Sequence, residues 1–224
     1  MKTFLFIGAN SDIAIEARRK QEEKGNRVIS ISRTSNSIYD DFLIGDPVIN
    51  ELPEIDIEID GLVYFPGSIT LKPFRSLKKM DFQSDFELNV LGAINSLHFY
   101  LPKMRTGASV VFMSTVAVQT GMPYHSSVAV SKGAIEGLTR ALAAEFAPKI
   151  RVNCIAPSLT QTKLASRLLN SEEKVDAMAQ KHPLKKIGKS EDLSNALDFL
   201  LNDTAAWMTG QIMHLDGGMS TLKI

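Results

Sequence analysis

Short apolar runs alternate with longer segments of helical periodicity along almost the whole chain, and this alternation restricts the possible folds more than any other feature. The apolar runs predict strands at residues 3–7, 27–32, 41–44, 61–65, 109–113, 151–155 and 211–215. Helical patterns cover residues 11–24, 82–104, 128–146 and 192–201. Near-continuous apolar strands separated by helices are typical of a parallel sheet covered on both faces. We therefore predict an α/β fold of three layers, a doubly wound parallel sheet in a single domain.

Charge and composition exclude several classes of function. Lys and Arg total 25, Asp and Glu total 25, and the formal net charge is zero. Without a basic excess we expect no nucleic-acid partner, and without an apolar run of about 18 residues we expect no membrane span. The single cysteine, Cys154, lies in an apolar strand pattern, so we expect it to pack rather than to react or hold a metal. The chain is thus expected to be a soluble, cytoplasmic protein without a metal.

The turn after the first predicted strand is the first candidate for ligand binding. Gly8 opens this turn, which leads directly into a predicted helix. Glycine permits a tight turn, and the backbone N–H groups at a helix N-terminus can approach a pyrophosphate. The alternative is an ordinary strand-to-helix turn in which Asn10, Ser11 or Asp12 caps the helix.

The end of the second predicted strand indicates which dinucleotide would bind. An acidic residue at such a strand end would hold the ribose 2′-hydroxyl of NAD, and no acid is present there. Ser32 can instead hydrogen-bond a 2′-phosphate, and Arg33 can pair with its charge. These residues favour NADP(H) over NAD(H). The alternative is that Arg33 is a solvated surface arginine.

Four motifs in the second half of the chain identify a family. They are residues 110–115, Val-Val-Phe-Met-Ser-Thr; 128–134, Val-Ala-Val-Ser-Lys-Gly-Ala; 151–157, Arg-Val-Asn-Cys-Ile-Ala-Pro; and 209–218, Thr-Gly-Gln-Ile-Met-His-Leu-Asp-Gly-Gly. In this order and spacing the series resembles the short-chain dehydrogenase/reductases, especially their 3-oxoacyl-carrier-protein reductase-like branch. The resemblance covers essentially the whole chain and implies a Rossmann fold with a nicotinamide dinucleotide as cofactor.

The resemblance also implies which residues hold that cofactor. Gly8, Asn10, Ser11 and Ile13 correspond to the dinucleotide turn, and Arg33 to the position used by NADP-preferring members. Asp46 resembles the aspartate beside the adenine, Gly67 the last residue of the Asn-Asn-Ala-Gly motif, and Lys132 the lysine on the nicotinamide ribose. The last group, which touches the nicotinamide amide, is Pro157, Leu159 and Thr162.

Catalytic roles follow in the same way, with one departure. The resemblance assigns a water-holding asparagine to Asn89 and a substrate-side hydroxyl to Thr115, with Ser114 as the other candidate hydroxyl. A tyrosine four residues before Lys132 normally donates the proton, and that position carries Val128. Losing a general acid typically costs about 10²–10⁴-fold in rate.

Two neighbouring groups are the candidates to replace the missing tyrosine. If the helix extended that far, Tyr124 would lie on the same face as Lys132, with His125 beside it. Gly121 and Pro123 favour a loop at this point instead.

Three further positions depart from the family's pattern. Asp12 replaces a glycine and places a carboxylate among the residues expected near the phosphates, although it would be harmless as a helix cap turned away. Residues 64–66, Tyr-Phe-Pro, replace Asn-Asn-Ala, so apolar packing must replace the lost polar links. Ser158 replaces the glycine after Pro157 and restricts the backbone there.

Two functions are compatible with this sequence. The first is an NADP(H)-dependent oxidoreductase of a small carbonyl, alcohol or 3-oxoacyl thioester substrate, with activity impaired by Val128. The second is a non-catalytic NADP(H)-binding homologue that acts as a sensor or as the partner subunit of an active homologue.

The resemblance also implies a quaternary arrangement and a substrate lid. Family members form homodimers or homotetramers through two long helices, here residues 82–104 and 128–146, and a hetero-oligomer with an active homologue is the alternative. Residues 160–182 would form the lid. Its apolar residues indicate either an apolar cover or simple amphipathic packing; they are Leu164, Leu168, Leu169 and Met178.

Overall fold

The core of the fold is a seven-stranded sheet whose strands all run parallel. The structure, a computed structural model, describes residues 1–36 and 38–223. The strands of this sheet are β1 (Thr3–Ile7), β2 (Arg27–Ser32), β3 (Phe42–Ile44), β4 (Ile59–Tyr64), β5 (Met104–Met113), β6 (Ile150–Pro157) and β9 (Ile212–Leu215). Two short strands, β7 (Thr160–Gln161) and β8 (Gly188–Lys189), pair separately.

The helices cover the sheet on both sides. They are α1 (Asp12–Glu23), α2 (Lys79–Phe86), α3 (Gly92–Tyr100), α4 (Ala117–Thr120), α5 (Ser126–Phe146), α6 (Glu172–Gln180) and α7 (Ser190–Leu201). A π-helical turn, Glu87–Leu91, joins α2 to α3. Single 3₁₀ turns lie at Phe74–Ser76, Leu101–Lys103, Lys163–Ala165 and Asp203–Ala205.

Two apolar cores lie on the two faces of the sheet. On one face, Leu5 and Ile7 of β1 pack with residues of α3 and α5, such as Ala93 and Ile135. On the other, the alternate β1 residues pack with α1 and α7. Cys154 is fully buried in β6, and burial raises the pKa of its thiol to about 12, as expected for a packing cysteine. The doubly wound α/β prediction is therefore confirmed.

The prediction of one helix over residues 82–104 was wrong at both ends. The helical segment begins at Lys79 and its α-helical part ends at Tyr100, after which a 3₁₀ turn contains Pro102. Proline lacks an N–H donor and clashes with the preceding turn, so a helix cannot continue through it. Met104 instead begins β5, which is longer than the predicted strand at 109–113.

The strand order determines where a ligand can bind. The order β3-β2-β1-β4-β5-β6-β9 reverses between β1 and β4, which are neighbours in the sheet. In open parallel sheets, ligands bind at this switch, beyond the carboxyl ends of the strands. Gly8 and Phe65 follow β1 and β4 directly and so lie at that point. Within the described ranges, no helix combines the length and apolar character needed to cross a bilayer.

Candidate functional site

A cleft of about 220 Å³ opens at the carboxyl ends of β1, β2, β3 and β4. It contains six of the predicted cofactor residues, namely Gly8, Ser11, Ser32, Arg33, Asp46 and Gly67. Its lining is completed by Leu164 of the predicted lid and by seven residues that the sequence did not indicate, namely Ile31, Gly45, Pro47, Val48, Phe65, Pro66 and Leu88. The outer part, around Ser32 and Arg33, is called the rim below. The inner end, where Gly67 meets Asn89 and Lys132, is called the floor.

Gly8 is the one position of the first turn where only glycine fits. Its φ is +79°, in the left-handed region, and a Cβ built on it would lie 2.7 Å from Cδ of Pro66. The backbone N–H groups of Gly8 and Ala9 both donate to the carbonyl of Ile31, which closes the turn. The turn thus joins β1, β2 and the segment after β4 at the switch point.

The start of α1 combines helix capping with a contact to the predicted lid. Ser11 caps the helix, because its Oγ accepts a hydrogen bond from the Ala14 N–H. Asp12 does not line the cleft: its carboxylate accepts the Lys163 backbone N–H at 2.5 Å and lies 3.7 Å from Lys163 Nζ. This carboxylate is therefore turned toward a lysine, and its predicted cofactor contact is not supported by this geometry.

Asn10 and Ile13 shape the turn without lining the cleft. The Asn10 side-chain amide donates to the carbonyl and the hydroxyl of Thr34, at 2.9 and 3.0 Å. It thereby connects the first turn to the loop that carries Arg33. Ile13 packs against the apolar core below α1.

The rim carries opposite charges on either side of a buried phenol. Arg33 is exposed on one side, and Asp46 lies on the other with its Oδ1 accepting the Val48 N–H at 2.9 Å. Burial raises the pKa of Tyr64 well above its usual value; Asp46 raises it further and Arg33 opposes the shift. Arg33 forms no ion pair within residues 1–36 and 38–223, so its guanidinium is available to a ligand.

Tyr64 also supports the helical segment that carries Asn89. Its hydroxyl donates to the carbonyl of Leu88 at 2.6 Å, within the π-helical turn. A Cβ built on Gly92 would lie 2.1 Å from that hydroxyl, so Gly92 leaves room for Tyr64. Phe65 packs edge-to-face on Phe6, with ring centroids 5.2 Å apart. Tyr64 and Phe65, which replace two asparagines of the family pattern, are therefore held by apolar packing and one hydrogen bond.

The floor brings together three residues that the sequence places far apart. A Cβ built on Gly67 would lie 3.2 Å from Lys132 Nζ and 3.5 Å from Asn89 Oδ1. Asn89 is 1% exposed and Lys132 is 6% exposed. Burial lowers the pKa of Lys132 from 10.5 to about 8, and the nearby Asp85 opposes that shift. In the part of the chain that the structure describes, Asn89 Oδ1 has no hydrogen-bond partner.

Val128 lies on the buried face of α5, one turn before Lys132. Its side chain is apolar and 6% exposed, so it presents no proton at this point. The helix begins only at Ser126, and Tyr124 lies before it with φ +70° and 58% of its surface exposed. The prediction that Tyr124 belongs to a loop is confirmed, so it does not share the helix face of Lys132.

The two hydroxyls after β5 have different partners. Ser114 is buried, and its Oγ donates to Glu136 Oε1 at 2.7 Å, which directs it toward α5. Thr115 lies just beyond the strand and is partly exposed, and its Oγ1 accepts the Ala117 N–H at 3.3 Å. Ser114 is thus engaged elsewhere, and Thr115 remains the candidate substrate-side hydroxyl.

The segment after β6 leads into the predicted lid. Pro157 is the last residue of β6, and the Leu159 carbonyl accepts the Gly188 N–H. Thr162 caps the next 3₁₀ turn and lines a second cavity with Asp12. Residues 160–182 are all described by the structure, and of these Leu164 alone lines the cleft.

Ser158 and His182 tie the end of the predicted lid to the sheet. His182 is 2% exposed, with Nδ1 2.9 Å from the Met178 carbonyl and Nε2 2.7 Å from Ser158 Oγ. A carbonyl can only accept, so Nδ1 carries a proton and donates to Met178, while Nε2 lies within hydrogen-bond distance of Ser158 Oγ. The serine that replaces the family's glycine therefore has a structural partner in this chain.

Sequence reasoning missed a buried carboxylate next to the floor. Asp85 of α2 is 2% exposed and accepts hydrogen bonds from three hydroxyl groups, those of Ser68, Thr70 and Ser127. The available signal was its spacing, because Asp85 lies four residues before Asn89 and therefore on the same face of the predicted helix.

Sequence comparison finds relatives over most of the chain. The model of the family described as Enoyl-(Acyl carrier protein) reductase matches residues 46–220. Tropinone reductase-like 3 of Erythroxylum coca is 32% identical over 207 residues, which cover 91% of this chain and 78% of that protein. The short-chain dehydrogenase/reductase SDRA of Arabidopsis thaliana is 31% identical over 205 residues, which cover 91% and 79%.

Solved structures share the fold over nearly the full length. Ligand-free aldohexose dehydrogenase of Thermoplasma acidophilum superposes with a TM-score of 0.90 at 24% identity, covering 99% of this chain and 95% of that one. ElxO with NADP bound superposes with a TM-score of 0.87 at 24% identity, covering 99% and 100%. At these identities the likeness concerns the fold, which agrees with the strand order described above.

Proposed function

The chain belongs to the short-chain dehydrogenase/reductase family, and from that premise we propose that it is an oxidoreductase that uses NADP(H). Its substrate is a small carbonyl compound or the corresponding alcohol, with 3-oxoacyl thioesters as one candidate class. Its turnover is slow, because Val128 occupies the position from which the family's tyrosine donates a proton.

The cleft fits a dinucleotide at three points. Gly8 allows the backbone to turn tightly at the N-terminus of α1, where a pyrophosphate is favoured by free N–H groups and the helix dipole. Asp46 lies along the same cleft, where the adenosine half would be held. At the other end, the unpartnered Asn89 Oδ1 and the Lys132 ammonium leave a buried acceptor and a buried donor for a polar ligand.

Arg33 is the observation that carries the preference for the phosphorylated dinucleotide. It lines the cleft, is exposed, and is not paired with any carboxylate of the described chain. Ser32 beside it adds a hydroxyl donor. A guanidinium forms charge-assisted hydrogen bonds with phosphate, whereas a 2′-hydroxyl gains little from it. The NADP bound to ElxO, a protein of the same fold, supports this preference.

Each residue near the floor has a different role in the proposed reaction. The reduced nicotinamide, when bound, supplies a hydride to the carbonyl carbon. Lys132 places a positive charge beside the reacting groups, and with a pKa of about 8 it is mostly protonated at neutral pH. Thr115 offers a hydroxyl to the substrate. Val128 offers no proton, so the proton for the carbonyl oxygen comes from a less well placed donor such as water, which is why the reaction is slow.

The lid and the oligomer remain parts of this proposal. Residues 160–182 would cover the substrate, and the position of Leu164 in the cleft supports that role. Exposed apolar side chains on the helical segment 79–100 and on α5 support association into a homodimer or homotetramer, or with an active homologue. These side chains are Met80, Leu91, Ile94 and Val130.

Consumption of NADPH by the unmodified protein tests the proposal. The protein is used at high concentration with a panel of aldehydes, ketones and 3-oxoacyl thioesters, and Lys132→Met at the same concentration is the control for contaminating enzymes. We expect slow, substrate-dependent consumption that Lys132→Met abolishes. If no compound causes NADPH consumption, the reductase is ruled out and a non-catalytic binding protein takes its place.

A further inference from the structure

The buried Asp85 is the centre of a polar cluster that the reaction outlined above does not use. Its Oδ1 accepts the hydroxyls of Ser68 and Thr70, at 2.6 and 2.9 Å, and its Oδ2 accepts the hydroxyl of Ser127 at 2.6 Å. A carboxylate has no proton to give and can only accept, and each hydroxyl has one proton. The Ser68 and Thr70 protons are therefore committed to Asp85, and Ser127 Oγ lies closer to Asp85 than to its other acceptor, the Asp81 carbonyl at 3.3 Å.

This commitment decides what Ser68 can offer to its other neighbour. Ser68 Oγ also lies 2.9 Å from Nδ2 of Asn89. Because the Ser68 proton already points to Asp85, Ser68 can only accept from Asn89. The second proton of the Asn89 amide goes to the Asp85 backbone carbonyl at 2.7 Å, so both Nδ2 protons have acceptors.

The opposite orientation of the Asn89 amide is disfavoured on both sides. A flipped amide would place its oxygen against Ser68 Oγ, which has no free proton, and against a carbonyl oxygen. Ser68 Oγ and the Asp85 carbonyl would then each face another acceptor and lose a hydrogen bond, at a cost of about 1–3 kcal/mol per group. The amide oxygen therefore faces the floor, beside Gly67 and Lys132, where it is buried and unpartnered.

We infer that Asp85 is a positioning residue that acts through Ser68 to hold the Asn89 amide oxygen toward Lys132. In that orientation Asn89 presents an acceptor to the donor-only ammonium, directly or through a water molecule. Reversal would place an NH₂ group against the ammonium. The inference rests on the proposed function for its catalytic meaning, whereas the orientation itself belongs to the free protein.

The first test therefore uses the protein without any dinucleotide. Side-chain amide signals are recorded by ¹⁵N NMR, and the Asn89 signal is identified by its loss in Asn89→Asp. Ser68→Ala removes one acceptor and Asp85→Leu frees the Ser68 proton. In both variants we expect the Asn89 signal to shift and its hydrogen exchange to accelerate about tenfold, as for the loss of one hydrogen bond. Thr70→Val is the matched control, because Thr70 donates to the same carboxylate but does not touch Asn89.

The second test measures turnover in a Val128→Tyr background. Ser68→Ala and Asp85→Leu should each lower kcat about tenfold with little change in KM, and combining them should lower it no further, since both act on one hydrogen bond. Thr70→Val should retain most of the activity. If Val128→Tyr itself is inactive, the proposed reaction fails, while the NMR test still decides the orientation. An Asn89 signal that is unchanged in Ser68→Ala and in any folded Asp85→Leu protein would overturn the inference.

Discussion

The rim and the floor of the cleft differ in how far their polar groups are buried and in how many partners hold them. At the rim, Arg33 is exposed and its guanidinium is free of partners within the described residues, while Asp46 is held mainly through its backbone and one N–H contact. At the floor, Lys132 and Asn89 are almost completely buried, and the Asn89 amide is fixed by two acceptors. An exposed charge can bind a charged ligand at little desolvation cost, whereas a buried polar group needs every partner in place.

Under the proposed function, this difference separates binding from catalysis. The rim would select a phosphorylated dinucleotide even if the floor were altered, because the two share no side chain. The floor would be preorganised for chemistry and still lack a proton donor, because Val128 stands where the family has a tyrosine. The following experiments sharpen or break that separation, beginning with the largest expected effect.

Restoring a proton donor at the floor has the largest expected effect. Val128→Tyr places a phenol on the face of α5 that carries Lys132, and turnover should rise about 10²–10⁴-fold. Val130→Tyr is the matched control, since Val130 lies on the same helix but is 58% exposed, and it should give no gain. Turnover is compared with the carbonyl panel under NADPH saturation. Equal rates for both variants would mean that the floor is not an active site.

Removing the buried ammonium should stabilise the fold below pH 8. The Lys132 pKa is lowered from 10.5 to about 8, so the native state disfavours the charged form. This cost is fully present below pH 8 and disappears as the pH rises through 10.5, where the unfolded chain also loses its proton. The unfolding free energy of Lys132→Met minus that of the parent protein should therefore be about 3 kcal/mol larger at pH 7 than at pH 10.5.

Urea unfolding of both proteins at several pH values measures this gap. The exposed Lys149, replaced by Met, is the control for the general loss of a positive charge. A gap between Lys132→Met and the parent that stays constant from pH 7 to pH 10.5 would contradict the burial argument.

At the rim, neutralising one guanidinium should change affinity without changing the floor. Arg33→Gln should weaken NADPH binding by about 1.5–3 kcal/mol, roughly 10–100-fold, because it removes a charged hydrogen bond to phosphate. NADH binding should remain within about twofold, since the 2′-hydroxyl does not use that charge. Isothermal titration with both dinucleotides is the measurement. An equal loss for NADH and NADPH would place Arg33 outside the phosphate site.

The smallest expected effect concerns the support of the π-helical turn. Gly92→Ala would bring a methyl group onto the Tyr64 hydroxyl and should lower the unfolding free energy by about 1–3 kcal/mol. In a Tyr64→Phe background the penalty of Gly92→Ala should shrink, because the clashing oxygen is absent. The measurement is thermal or urea unfolding of the parent, Gly92→Ala, Tyr64→Phe and the double variant, which together form a double-mutant cycle. The same penalty in both backgrounds would show that the two positions are not coupled.

The sheet could be predicted from the sequence because its strands are nearly continuous apolar runs. Helix ends were harder, since Pro102 ended the helix before residue 104 and α2 began before the first strongly apolar residue. Among the residues at the cleft, Gly8 and Arg33 were predicted from local patterns, and Lys132, next to Gly67, from the family motif. Asp85 was missed, because its partners Ser68 and Ser127 are distant in sequence and meet only in the folded chain.

The contact of Asp12 could not be predicted from local sequence either. Its position at the start of a helix indicated a cap or a phosphate neighbour, whereas its carboxylate contacts Lys163, 151 residues away. Such long-range pairs depend on the path of the chain, which propensity and periodicity do not describe.

The association of the unmodified protein with nicotinamide dinucleotides tests the central claim most directly. In calorimetric titrations at one fixed salt concentration, we predict saturable binding of NADPH at a single site, about 10–100-fold tighter than that of NADH. Titrations in which neither NADPH nor NADH produces binding would contradict the assignment of the cleft as a dinucleotide site.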